Sequence, residues 1–319
     1  MKIPFWNALE KGERFLMVGA GGGFDFVHGI PLYLYITRVL KKEVVLANYS
    51  FCSFSDLEKS QSQRVFYGTY KVTKDAINLD YFPEKYTSEW FWENDQVNIP
   101  IYTFYYGLGV QPLRRAYNYL IEEYQVDSLV LVDGGTDSII FGDERGLGTI
   151  VEDANSMVAA AKTDVPNKYL VSIGFGVDHF HGVNHYNFLE NVSTLIKEDG
   201  YLGTFSLTQD MPEGKRYLAL IHYLNEKNNR QSIVANSIAG ALEGDFGNIH
   251  RTSLTQDSEL FINPLMSLYW TFSLEQVISR MIFASELEDC ETIRDVVNQI
   301  RIHKLDRNNQ YRYSQSIPL

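Results

Sequence analysis

Short apolar runs recur along the chain, and stretches with a different hydrophobic spacing separate them. Four runs lack the polar alternation of an exposed strand and are typical of buried strands in a parallel sheet: residues 15–18, 44–47, 128–132 and 169–173. Residues 99–106 predict a further strand that leads into the same sheet. Later apolar runs predict three more strands, at residues 202–207, 232–235 and 268–272.

The stretches between these runs carry apolar residues at helical spacing. The clearest amphipathic pattern covers residues 113–124, and a second apolar stripe begins at His185. Residues 27–40 also predict a helix, although Gly29 and Pro31 obscure its start. Strand, glycine turn, helix and strand therefore follow one another, which is the βαβ unit of a doubly wound fold.

Thr149 and Glu152 have the spacing of a capping box, which predicts that a helix begins there and continues to about residue 162. Glu152 and Asp153 are then expected to cap this helix and to complement its dipole. Both acids are therefore interpreted as structural residues.

The predicted fold class is α/β, with a doubly wound, mostly parallel, Rossmann-like sheet. A length of 319 residues fits one large domain over residues 1–319. Residues 55–99 depart from the alternating pattern and combine many charges with nine aromatic residues, among them Tyr81 and Trp90. We predict that they form an aromatic-rich lobe or cap inserted in the domain.

Charge and composition exclude several partners. The net charge of -12 opposes binding to nucleic-acid backbone, where lysine and arginine must neutralise phosphates. Two cysteines give neither a disulfide framework nor a thiolate metal site. The first residues lack the apolar core of a signal peptide, and no apolar run approaches the roughly 18 residues of a membrane helix. We therefore expect a cytoplasmic protein without a nucleic-acid or membrane partner.

Three predicted strands end in glycine and carboxylate, at residues 19–25, 133–137 and 174–178. Ligands of open parallel sheets bind outside the carboxyl ends of the strands. Glycine allows the backbone to approach a ligand, and the amides of such turns favour anions. We expect the three loops to meet at one edge of the sheet and to form one acidic, glycine-rich site.

The first loop supplies candidate ligand-binding residues: Gly19, Gly21, Gly22, Gly23 and Asp25. Phe24 stands where a dinucleotide fingerprint has its third glycine, and the second strand ends without the acid that holds an NAD ribose. NAD as a hydride carrier is therefore unlikely. Contact with a phosphate or sugar and a tight structural turn both remain open for this loop.

The second loop contains four carboxylates in twelve positions, a pattern that suits a hard cation or ribose hydroxyls. We predict catalytic and metal-binding roles for Asp133 and Asp137. The small residues between them are predicted to bind ligand: Gly134, Gly135 and Thr136. The alternative is a solvated acidic loop, and it is the favoured interpretation of Asp143 and Glu144.

The third loop places three histidines within seven residues, beside Asp178. Histidine with carboxylate suits a transition metal or a general acid–base pair. Asp178, His181 and His185 are therefore candidate catalytic residues, and Asp178 is also a candidate metal ligand. Gly176 is a candidate ligand-binding residue. A histidine on an apolar stripe can equally be a packed core residue.

A weaker signal follows the predicted strand at residues 232–235. Asn236 is a candidate ligand-binding residue there, and Ser237 and Glu243 could add to the same site. These candidates depend on the strand prediction, because a strand end would bring them to the common edge.

Five sequence blocks resemble a prokaryotic family catalogued as domain of unknown function 1152: GAGGGFD, LVDGGTDSIIFGDE, LGTIVEDA, GFGVDHFHGVNHYNFLEN and NPLMSLYW. They run from about Gly19 to Trp270, and the inserted aromatic segment carries none of them. The resemblance implies a Rossmann-like domain with a shared pocket lined by these blocks. It implies no particular reaction.

Three classes of function fit these observations. The leading hypothesis is an enzyme, a hydrolase of a nucleotide, nucleoside or sugar-phosphate compound, assisted by a divalent cation such as Mg²⁺ or Mn²⁺ and less favourably Zn²⁺. The partner would then be a small phosphate- or sugar-containing molecule. The second hypothesis is a non-catalytic sensor of a nucleotide-like metabolite. The third is a structural protein or a subunit of an oligomer, and homo-oligomers are possible in each case.

Overall fold

The structure is a computed structural model that describes residues 2–306, 311–313 and 315–317, and in this part of the chain one mixed sheet contains nine strands. The strands are β1 Arg14–Gly19, β2 Glu43–Tyr49, β3 Gln63–Phe66, β4 Thr69–Val72, β5 Ile101–Phe104, β6 Ser128–Gly134, β7 Asn167–Ile173, β8 Tyr201–Ser206 and β9 Leu268–Ser273.

The helices surround this sheet. They are α1 Pro4–Lys11, α2 Asp25–His28, α3 Ile30–Leu34, α4 Phe54–Lys59, α5 Pro83–Asp95, α6 Val110–Tyr124, α7 Ile150–Ala161, α8 His185–Lys197, α9 Pro212–Lys227, α10 Ile233–Glu243, α11 Leu274–Arg280, α12 Ala284–Leu287 and α13 Ile293–Asp306. A π-helical turn at Tyr35–Val39 extends α3, and short 3-10 turns lie at Asp137–Ile139, Val177–His181, Ser253–Thr255 and Pro264–Ser267.

The strands follow the order β3-β4-β5-β2-β1-β6-β7-β9-β8. Neighbours from β5 to β7 pair in parallel, whereas β3, β4, β8 and β9 form antiparallel pairs at the two ends. The predicted α/β class with a mostly parallel, Rossmann-like sheet is confirmed. Strand order reverses between β1 and β6, the crevice where open α/β sheets bind ligands.

The central strands are apolar on both faces because both faces carry helices. In β1, Leu16 and Val18 pack with α6 and α7 in one core cluster. Phe15 and Met17 point to the other face and pack with α2, α3 and α9. Alternating residues of one strand thus enter two cores, and this explains why the predicted strands show no polar alternation.

Residues 55–99 contribute β3, β4 and α5 to the sheet and its core. A two-residue turn connects β3 to β4 and ends at Gly68, whose φ of 65° suits a tight hairpin. On α5, Trp90 and Phe91 are buried in the same cluster as Phe15. Packing on the common core accounts for many of the aromatic residues, while the division into a domain and a lobe stays a prediction.

Two predicted elements differ from the structure. Residues 27–40 form α2, α3 and the π-helical turn instead of one helix, with the break at Gly29 and Pro31. The predicted strand at residues 232–235 was wrong, because Ser232 caps α10 by accepting a hydrogen bond from the Ala235 amide. A short apolar run has no periodicity that distinguishes a buried strand from the start of a buried helix.

Among the described helices, none combines the length and the apolar character needed to cross a membrane.

Candidate functional site

A cavity of about 580 Å³ lies at the carboxyl ends of β1 and β6. All three loops that end in glycine and carboxylate contribute to its lining: Gly21, Gly22 and Asp25 from the first, Asp133, Gly134 and Asp137 from the second, and Asp178 with His181 from the third. The expected meeting of these loops at one edge is therefore observed. The volume falls within the range of about 300–1,000 Å³ typical of small-molecule sites.

Three carboxylates of the cavity wall lie close together. One oxygen from each of Asp25, Asp133 and Asp153 lies within 4.8 Å of the oxygens of the other two. The predicted metal ligands were Asp133, Asp137 and Asp178, and the structure brings only Asp133 of these into the triad. Asp137 and Asp178 line the same cavity outside the triad.

Asp153 was not a predicted site residue. It lies in the first turn of α7, where it was expected to serve the helix end, but its side chain is only 2% exposed and lines the cavity. Its Oδ1 is buried and has no hydrogen-bond partner within the described residues. The signal in the sequence was the position itself, since the start of a helix that follows a sheet strand faces the ligand edge.

The capping box predicted for α7 is not formed. Thr149 precedes the helix, and its amide and hydroxyl donate to Asp137 Oδ2 at 2.7 and 2.8 Å. Glu152 instead accepts a hydrogen bond from the Tyr106 hydroxyl at 3.0 Å. The helix start therefore fixes one wall of the site.

Hydrogen bonds hold one oxygen of each second-loop and third-loop aspartate. Asp133 Oδ2 accepts from the Ser138 hydroxyl at 2.5 Å, and Asp178 Oδ2 accepts from the Thr136 amide at 2.6 Å. In each carboxylate the second oxygen has no such anchor among the described residues and is available to a ligand. Thr136 was predicted to bind ligand; it lies outside the cavity lining, and its amide positions Asp178.

Mutual repulsion and burial disfavour ionisation of these acids. Burial, and then the charge of Asp137, raises the pKa of Asp133 to about 8. Burial and the charge of Asp133 raise the pKa values of Asp25 and Asp153 well above the usual range. For Asp178, burial and the charge of Asp137 do the same. Strongly shifted carboxyl groups in a cavity are typical of functional sites, although structural clusters also produce them.

The predicted ligand-binding glycines bring the backbone close to these side chains. Gly21 donates its amide to Asp25 Oδ2 at 2.5 Å. A Cβ on Gly135 would lie 2.7 Å from Asp178 Oδ2, and one on Gly19 would lie 2.3 Å from Asn48 Oδ1. Gly22 and Gly23 have φ values of 92° and 59°, in the left-handed region that favours glycine.

Gly134→Ala is expected to destabilise the fold by about 1–3 kcal/mol through overpacking. The new Cβ would lie 2.3 Å from Cδ2 of His28, a buried ring whose Nδ1 is hydrogen-bonded to the Tyr217 hydroxyl at 2.8 Å. Denaturant unfolding measures the loss.

The double-mutant cycle with His28→Ala provides the control. If the clash with the ring causes the loss, Gly134→Ala should destabilise the His28→Ala protein less than it destabilises the wild-type protein. Strict additivity of the two losses would contradict this explanation.

The histidines of the third loop separate into two environments. His181 is exposed and lines the cavity. His185 begins α8, where its ring lies against Phe175 and stacks on His179 with the ring centroids 5.2 Å apart. His185 does not line the cavity, and burial and the neighbouring His179 lower its pKa. Gly176 lies against this ring, since a Cβ there would be 2.7 Å from His185 Nε2.

Several weaker candidates lie away from the cavity. Asn236 belongs to α10 and is hydrogen-bonded to Asn225 at 2.9 Å, so its predicted place at a strand end was wrong. Asp143 and Glu144 form salt bridges with Arg312. Their interpretation as a solvated acidic loop was wrong for Glu144, which is buried and accepts hydrogen bonds from the Phe141 and Gly142 amides.

Two further parts of the cavity wall contain no predicted site residue. The start of α10 contributes Ser232, Ile233 and Val234, and the exposed Arg230 precedes it. Phe51 and Tyr81 form an aromatic part of the lining. Arg230 and Phe51 lie in stretches without a motif, and only the fold brings them to the three loops.

A family model with the description "Protein of unknown function (DUF1152)" matches residues 85–305, which is more than half of the chain. The chain belongs to this family. The matched residues include Asp133, Asp153 and Asp178, whereas the first glycine loop precedes the match. Neither the curated proteins nor the solved structures include a match to the chain.

Proposed function

We propose that the protein is a hydrolase of a nucleotide, nucleoside or sugar-phosphate compound, assisted by a divalent cation. One observation carries this proposal: Asp153 forms a triad with Asp25 and Asp133, and its buried Oδ1 has no protein partner in the described chain. A buried polar atom without a partner is costly. An ion at the triad would give this oxygen a partner and would offset the repulsion among the three carboxylates.

The donor set favours a hard cation. Asp25, Asp133 and Asp153 offer only carboxylate oxygens, which suit Mg²⁺ and Mn²⁺. Zn²⁺ fits less well because no histidine or cysteine belongs to the triad. A bound divalent cation would supply a polarised phosphate oxygen and an activated water.

Acids outside the triad would handle the protons. Hydrolysis adds water across the bond that breaks: the hydroxide forms the new bond, a base takes the proton, and the leaving group departs with a proton. Asp137 and Asp178 line the cavity, each with one anchored oxygen, and are the candidate bases. His181 lines the same cavity as Asp137, and its exposure allows proton exchange with water.

Turnover of phosphate compounds with and without cation tests this proposal. We expect product release from at least one nucleotide or sugar phosphate with Mn²⁺ or Mg²⁺ and none with chelator. Asp137→Asn and Asp178→Asn keep the shape and an acceptor oxygen of each side chain but remove its basicity. At least one of them should lower kcat by about 10²–10⁴ if it acts as the base.

Asp210→Asn is the matched control, because Asp210 is exposed and outside the cavity lining, and its kcat should stay unchanged. Turnover that survives chelator, or full kcat in both cavity variants, would contradict the proposal. A compound that binds equally well in chelator and yields no product after long incubation would instead indicate a non-catalytic sensor.

A further inference from the structure

Phe51 is a large apolar side chain that lines the cavity and remains 47% exposed. Its ring packs against the backbone of Gly22 and Gly23, whose added Cβ atoms would lie 2.7 and 2.9 Å from it. It stacks with Tyr81 at a centroid distance of 6.4 Å and an interplanar angle of 20°, and it meets Tyr106 edge-on at 5.8 Å. The ring is thus fixed in place by its neighbours while about half of it remains available for a further contact.

A positively polarised wall belongs to the same cavity. Ser232 caps α10, an eleven-residue helix, and its hydroxyl oxygen accepts a hydrogen bond from the Ala235 amide. The amides of Ile233 and Val234 precede that bond and have no partner within the helix. Both residues line the cavity beside Arg230. A helix start together with an arginine favours the oxygens of a phosphate group.

The aromatic, acidic and positively polarised parts are close enough to serve one ligand. Tyr81, which stacks with Phe51, lines the same cavity as Asp25 and Arg230. The cavity volume of about 580 Å³ lies in the range of small-molecule sites. A single molecule with a flat ring at one end and a phosphate at the other matches these three environments.

We propose that the substrate is a nucleoside phosphate, with its base stacked on Phe51 and its phosphate held between the start of α10, Arg230 and the cation at the aspartate triad. This inference rests on the proposed function and selects nucleotides over ring-free sugar phosphates. Aromatic stacking supplies affinity for any base because every base offers a flat face, so the site discriminates the presence of a base more than its identity.

Binding of two probes in Mn²⁺ tests the inference: adenosine 5′-monophosphate, and ribose 5-phosphate, which has the same phosphate and a sugar but no base. Calorimetry on the wild-type protein should show about tenfold or greater preference for the nucleotide. Phe51→Leu should remove most of this preference, and Arg230→Gln should weaken both probes by a similar factor. Phe54→Leu and Arg294→Gln are the controls, because both residues are exposed and lie outside the cavity lining.

Equal affinity for the two probes, an unchanged preference in Phe51→Leu, or no binding of either probe would overturn the inference. Turnover assays run in parallel separate its failure from that of the proposed function. Cation-dependent hydrolysis of ribose 5-phosphate without nucleotide preference would leave the hydrolase standing and remove the nucleotide. Preferred binding of the nucleotide without turnover of either probe would retain the recognition and contradict the hydrolase.

Discussion

The Asp153→Asn variant is expected to unfold several degrees above the wild-type protein in chelator and to lose the stabilisation that Mn²⁺ gives the wild type. In the wild-type protein Asp153 is buried, and burial together with the charges of Asp133 and Asp137 raises its pKa. Asparagine has nearly the same shape and carries no charge. The substitution therefore removes a repulsion from the folded state and a ligand from the triad.

The direction follows from the raised pKa of Asp153. One unit corresponds to about 1.4 kcal/mol, and relief of even ~2 kcal/mol would raise the Tm of a protein of this length by roughly 3–6 °C. Mn²⁺ at a hundred times its dissociation constant should add about 2.7 kcal/mol to the wild type. Thermal unfolding at pH 8, in chelator and in Mn²⁺, measures both effects.

Glu152→Gln is the matched control, because Glu152 occupies the same turn of α7, lies outside the cavity lining and keeps its bond from Tyr106 as glutamine. It should retain the full response to Mn²⁺. A response to Mn²⁺ that is the same in Asp153→Asn and in the wild type would exclude Asp153 as a ligand, and an unstable variant in chelator would show that its carboxylate has a structural role.

In chelator, the free energy of unfolding of the wild-type protein is expected to fall as the pH rises from about 4 to 8. The pKa of Asp133 is about 8 in the folded protein, against 3.8 for an ordinary aspartate, so the folded state retains a proton that the unfolded chain releases. The stabilising contribution of the protonated group is complete below pH 4 and is lost as the pH approaches 8. The raised pKa values of Asp25 and Asp153 act in the same direction.

Tm measured from pH 4 to pH 9 in chelator tests this expectation against the Asp25→Asn, Asp153→Asn double variant. Between pH 5 and pH 8 the wild-type Tm should decrease by roughly 5–10 °C more than that of the variant. Saturating Mn²⁺ should flatten the wild-type curve, because the cation replaces the protons. Parallel curves for the two proteins in chelator would show that the triad does not control the pH dependence.

The sequence was sufficient for the elements whose pattern is local. The runs that became β1, β2, β6 and β7 are almost wholly apolar because each strand is covered on both faces, and the glycine turns after three of them mark the ligand edge. The acids next to these glycines could therefore be assigned to one site before the strand order was known.

Residues outside these turns could not be assigned in this way. The position of Asp153 at a helix start indicates the ligand edge, but its spacing is that of an ordinary helix-start acid, and the packing of α7 on the sheet was needed to show that its side chain turns into the cavity. Arg230 and Phe51 reach the cavity through contacts between segments far apart in the chain. His185 was a candidate catalytic residue, but its place on an apolar stripe was as good a signal for packing as for chemistry. In the structure it packs against Phe175.

The residues that line the cavity are far apart in the chain, so the ribosome synthesises them at different times. Asp25, Asp133 and Asp153 are all synthesised before Arg230 and the start of α10. At about 5–20 residues per second, the gap of 80 residues between Asp153 and Ile233 corresponds to roughly 4–16 s on the ribosome. During that interval the nascent chain holds its concentrated negative charge without the positive wall. A ligand that contacts both the acids and the positive wall could therefore stabilise the chain only late in synthesis. A cation at the triad could stabilise it from about the midpoint of synthesis.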